Sequence, residues 1–164
     1  MHASPVLTRT STLWWLFAAT VVITELFPIL AGVFDLTLID GISSPEAARQ
    51  VIAAFSADQR VAHAWITATL DVVYPLAYGL FFAASTVRFF PSAGRYLAWL
   101  PLLAIPVDLL EGMVQVLALT GVVDWLAIKA FVTPLKTLLF FSGLVTTVAG
   151  WLKWGYLRIT GARS

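Results

Sequence analysis

A chain of 164 residues with 60% hydrophobic and 12% charged side chains, and a mean hydropathy of +0.89, lacks the polar exterior of a water-soluble domain and reads as a membrane protein. A net charge of +1 offers no whole-molecule attraction to nucleic acid, and the lack of cysteine excludes disulfides, thiolate metal sites and cysteine nucleophiles.

Spanning the hydrocarbon core takes about 20 apolar residues. Four windows have that length, at residues 13–34, 62–87, 96–119 and 125–151. The predicted fold is therefore all-α: a single membrane domain built as a bundle of four transmembrane helices, with a tail at 152–164. The first window follows Arg9 but carries Glu25 and has no small-residue cleavage pattern, so it reads as a retained anchor and not a signal peptide. Trp14, Trp15, Trp99, Trp125, Trp151 and Trp154 stand near segment ends, as interfacial belts require. No internal repeat or second domain is visible.

The one sizeable loop, 35–61, contains its own helix signals. Ser44 is a cap, Pro45 suits the first helical position, and Ala48, Val51, Ile52 and Phe55 recur at helical spacing. A short amphipathic helix is expected there, lying as a lid over one mouth of the bundle. Ser56 and Gln59 form a capping box that starts the second long helix about a turn outside the membrane. Orientation follows from the basic residues. Arg9, Arg88, Arg95, Lys153, Arg158 and Arg163 lie in the two termini and the 88–95 loop, whereas Arg49, Arg60 and Lys129 lie on the opposite side with five acids. This bias predicts cytoplasmic termini in a bacterial inner membrane.

Charged groups inside the spans are the functional clue. A charge at bilayer centre costs at least about 2.5–3.5 kcal/mol, so such residues normally face the bundle interior. Helical rise puts Glu25, Asp71, Asp108 and Lys136 at one depth and Glu111 a turn further out. Asp71, Tyr74 and Tyr78 share one helix face, as do Asp108, Glu111 and Gln115, and Lys129, Thr133 and Lys136. Four acids against one lysine cannot all be ionised in low dielectric, and a neutral acid beside a charged one is what acid–base chemistry uses. Asp71 and Asp108 are the acid–base candidates, Glu111 a second acid and Lys136 the counter-ion; Tyr74, Tyr78, Glu25, Gln115 and Thr133 are candidate ligand-orienting groups. Pro28, Pro75, Pro106 and Pro134 each lie within four residues of an ionisable group, which predicts kinks around a cavity. Gly79, Gly112, Gly143 and Gly150 are expected to admit close helix packing. His63 and His2 have no matched ligand spacing, so neither a metal nor a cofactor is expected.

Three readings stay open. The bundle encloses a cavity for a lipid or isoprenoid-like molecule and acts on it as acid and base; it moves protons or cations; or it is an accessory subunit of a larger membrane complex, with the polar layer as glue between helices. Membrane lipids are expected neighbours in each case, and the last two imply a homo-oligomer or larger assembly.

The segments Phe34-Asp35-Leu36, Ser44-Pro45-Glu46, Asp71-Val72-Val73-Tyr74-Pro75-Leu76-Ala77-Tyr78-Gly79, Pro106-Val107-Asp108-Leu109-Leu110-Glu111 and Thr133-Pro134-Leu135-Lys136 resemble a family of small bacterial four-helix integral membrane proteins with no settled activity. The resemblance runs from Gly32 to Gly150 and implies the four-helix fold. It departs at Gly112, where that family is expected to have Asn. A looser, architectural likeness is to the sterol isomerase and sigma-2 receptor family, whose full acid and histidine pattern is absent here.

Overall fold

The computed structural model describes Val6 and residues 8–161; His2, Arg163 and the last three residues of the expected tail lie outside them. The described residues form helices and loops only. Four helical stretches are long and apolar enough to cross a membrane, making this a multi-pass membrane protein with a four-helix bundle. In chain order the helices are α1 (Thr10–Val33), α2 (Pro45–Ala54), α3 (Ala57–Phe89), α4 (Gly94–Leu97), α5 (Trp99–Leu119) and α6 (Lys129–Thr160), with a 3₁₀ turn at Leu126–Ile128 before α6.

Local chemistry explains the ends. Helix α1 closes through paired bonds, Leu36 N to Ala31 O at 2.8 Å and Asp35 N to Gly32 O, around Asp35 in the left-handed region at φ 51°. Aspartate is among the few non-glycine residues that tolerate this conformation. The Ser44 hydroxyl accepts from Ala47 N at 3.2 Å to begin α2, and the Ser56 and Gln59 side chains complete their capping box at the start of α3.

Two boundaries differ from expectation. The third span begins as the short α4, separated from α5 by Ala98, and the fourth runs on through 152–160, so most of the expected tail is helix. Apolar windows mark the membrane, whereas backbone hydrogen bonding continues until the chain lacks a reason to stop.

Helix α3 lies at the centre, packed against α1, α5 and α6. Close approach relies on small residues. A Cβ built on Gly79 would lie 2.6 Å from Ile105, one on Gly143 2.8 Å from Phe82, and one on Gly150 2.8 Å from Phe89. Gly112 differs, since a Cβ there meets Thr67 at 3.5 Å and Asp71 at 3.9 Å, both ordinary contacts. The prolines near the charges do not line the cavity as expected: Pro28, Pro106 and Pro134 sit on exposed faces of their helices, and of these four Pro75 is buried. A ring on the outward face needs no room inside the bundle.

Helix α2 packs on the outer part of the bundle, burying Ala48 and Ile52 with Ile39, Ala64, Val114, Leu119 and Leu126. Arg49 pins it to the α5–α6 connection by an ion pair to Asp124 at 2.6 Å. The mouth itself, however, is closed by the segment before α2, where Ile39 is fully buried and Leu38 and Asp40 face the cavity below.

Candidate functional site

The three polar stripes converge where α3, α5 and α6 meet. Asp71 and Tyr78 on α3, Asp108, Glu111 and Gln115 on α5, and Lys129 and Thr133 on α6 are all buried, and Lys136 is nearly so. The stripes cannot face lipid without leaving charges unsolvated, and turning all three inward lets them pair.

Glu111 is the centre of one half of the cluster. Its carboxylate takes Lys129 at 2.5 Å, the Thr133 hydroxyl and Lys136, with both Glu111 and Lys129 at 0% side-chain exposure. Lys136 reaches onward to Asp108 at 3.1 Å, and Tyr78 donates to the other Asp108 oxygen at 2.8 Å. A chain of charge-assisted hydrogen bonds thus ties α3, α5 and α6 together.

Asp71 belongs to a second half with different chemistry. It shares one wall with Asp40, which descends from the α1–α2 loop and accepts from Gln115 Nε2 at 2.9 Å. Burial pushes the Asp40 carboxyl up, but the neighbouring Asp71 carboxyl, the Lys136 charge, the Gln115 amide and the Lys129 charge outweigh it and hold Asp40 below the usual carboxylate range.

These groups border a cavity of about 280 Å³. Asp40, Asp71, Asp108 and Lys136 form its polar wall; Phe27, Leu38, Tyr74, Tyr78, Thr137, Phe140 and Phe141 form the rest. Tyr74 is fixed by the Thr24 hydroxyl, which donates to it at 3.2 Å, and by edge contacts to Phe27 and Tyr78. An apolar enclosure with a few convergent polar groups is the usual form of a small-molecule site.

Of the residues expected to act, Asp71, Asp108, Lys136, Tyr74 and Tyr78 come together on the cavity wall. Glu111, Thr133 and Gln115 lie behind it, spent on Lys129, Lys136 and Asp40. Glu25 does not join them. It lies beside Thr24, at the level of Tyr74, but on the exposed face of α1 with no hydrogen bond or ion pair among the described residues. Depth placed it correctly; rotation of α1 about its axis turned it outward. Two participants were missed. Lys129 counts among the outer-side bases by position, although its spacing with Thr133 and Lys136 signals the inward face, and Asp40 sits in a loop where no periodicity points anywhere.

The charge balance changes accordingly. Asp40, Asp71, Asp108 and Glu111 stand with two lysines, Lys129 and Lys136, so the surplus is two acids and not three. His63 is buried near the outer end of α3, its Nδ1 3.2 Å from the Thr67 hydroxyl. No group of three or more His, Asp or Glu side chains among the described residues forms a metal-ligand set. No protein-family model matches the chain, and neither curated proteins nor solved structures provide a match.

Proposed function

We propose that this is a bacterial inner-membrane protein whose cavity takes a hydrophobic small molecule, of lipid or isoprenoid type, and that Asp71 and Asp108 act on it as acid and base. The observation that carries this reading is the pair of carboxyls, Asp71 and Asp40, set side by side in the wall of an otherwise largely aromatic cavity, where one of the two would hold a proton. A proton held there faces a bound molecule in a water-poor site, where donors and acceptors act most strongly. Asp108, fixed by Tyr78 and Lys136, is the complementary ionised partner. Lys136 is the counter-ion that keeps it so, and Tyr74 and Tyr78 orient the guest.

The same proposal puts both termini in the cytoplasm. The burial of Lys129 against Glu111 supports this, because it removes one of the three basic residues from the opposite side and leaves Arg49 and Arg60 there. A cysteine-free chain makes the check simple: Ser44→Cys should react with an impermeant thiol reagent from outside intact cells, and labelling only after lysis would reverse the orientation.

The functional test is mass spectrometry of the organic extract of protein purified in mild detergent. Wild type should carry an apolar species that Asp71→Asn and Asp108→Asn lose while keeping their helical content. Identical extracts from all three proteins would refute the reading. The glue reading is favoured for one part only, the Glu111 centre, which is enclosed on all sides and off the cavity wall.

A further inference from the structure

A second apolar space lies next to the cavity along α3 and α6. On α3, Tyr78 of the cavity is followed one turn later by Phe81, and on α6, Phe140 and Phe141 are followed by Leu144; Phe81 and Leu144 belong to a second groove, of about 390 Å³. Phe17 and Trp14 of α1 wall its other side, and Trp151 closes its far end against Trp14 with ring centroids 5.8 Å apart. The groove is apolar apart from Thr147, and Val148 and Leu152 on its rim are exposed, so it is open sideways to lipid. Along α6 the seam runs from Thr137 to Trp151, about 21 Å at the helical rise.

From this alignment of the two spaces on successive turns of α3 and α6, and resting on the cavity reading above, we infer that the ligand is a single-chain amphiphile that bridges them. Its polar head sits among Asp40, Asp71 and Asp108, and its one acyl or isoprenoid chain lies in the α1–α6 seam, pointing toward Trp14 and Trp151. The chain enters laterally from the bilayer, since α6 exposes Phe141 and Val148 there and the Asp40 segment covers the outer mouth. Little net free energy comes from moving a chain out of lipid of equal polarity. The seam therefore fixes position and length more than affinity, and position is what a test has to read.

Two photoactivatable straight-chain alcohols serve as probes, one short and one long, each with a diazirine at its last carbon, added to the purified protein in lipid nanodiscs. The short probe should label Phe140 and Phe141, and the long one Trp14 and Trp151. Leu144→Trp, or independently Val148→Trp on the more exposed rim, should abolish the long probe's labelling at Trp14 and Trp151 and leave the short probe's unchanged. Phe131 and Ile159, 80% and 88% exposed, report ordinary lipid contact. If the long probe labels the seam no more than these two residues, or ignores both substitutions, the seam is lined by bulk lipid and the inference is lost, while cavity labelling by the short probe keeps the cavity reading. Absence of cavity labelling by either probe removes both.

Discussion

The two halves of the polar cluster are built from the same residue types and do opposite things. Around Glu111 every charge is met: two lysines and a threonine converge on one carboxylate with no access to the cavity. Around Asp71 a second carboxyl, Asp40, stands on the same wall beside open space, with no lysine bonded to either among the described residues. Saturation makes a fastening, and incomplete saturation makes a site. The same side chain, a carboxyl inside the bundle, is fully paired or left facing a cavity according to how many donors its neighbours bring.

The largest effect should come from breaking the saturated half. Glu111→Gln leaves Lys129 buried without a counter-charge, and losing one partner of a buried pair costs about 3–5 kcal/mol. Thermal unfolding in detergent should show a marked loss of stability, and a change as small as that of a surface substitution would end the distinction between the halves. Next, Asp71→Asn should keep the fold and reduce retention of the guest at least about tenfold. Equal destabilisation by Asp71→Asn and Glu111→Gln in the same melts would show one indivisible network.

Packing should separate two glycines in a similar way. Gly79→Ala drives a methyl into Ile105 and should cost about 1–3 kcal/mol, whereas Gly112→Ala, with room beside Thr67, should lie within about 0.5 kcal/mol of wild type. Chemical-denaturation midpoints of the two variants would decide it, and reversed order would mean that α3 and α5 sit further apart at Gly79.

The smallest effect concerns the outer helix. The hydrogen bond and charge from Arg49, with the Leu126 N–H, hold the Asp124 carboxyl below its usual range. A lowered carboxyl stabilises the folded state above its unfolded value and loses that contribution as pH falls through its folded value, so the tie of α2 should weaken below about pH 4. Amide hydrogen exchange in α2 should rise there while exchange in α3 does not. Asp124→Asn should abolish the pH step, and a step that persists in this variant would assign it to another group.

How much was readable in advance differs by element. The spans and the α2 cap lay in patterns of neighbouring residues, and so did the inward stripes of α3, α5 and α6, because three polar residues at i, i+3 or i+4, and i+7 leave a helix only one face to bury. Glu25 had no such companions. A lone acid in an apolar helix gives depth through the rise per residue but no rotation, and the structure turned it outward. The prolines misled for the same reason, since sequence proximity to a charge does not say which face a ring occupies.

By itself the sequence determined the number of crossings, their order and the layer at which charge would gather, because hydropathy and helical period act over a few adjacent residues. Only tertiary structure decided that Asp40 reaches down from its loop to the cavity wall beside Asp71, that Lys129 turns in to Glu111, and that an apolar groove lies next to the cavity along α6. Each of these depends on where rigid helices come to rest against one another, and that is set by side-chain volumes meeting across the bundle, such as Gly79 under Ile105, which no local window contains.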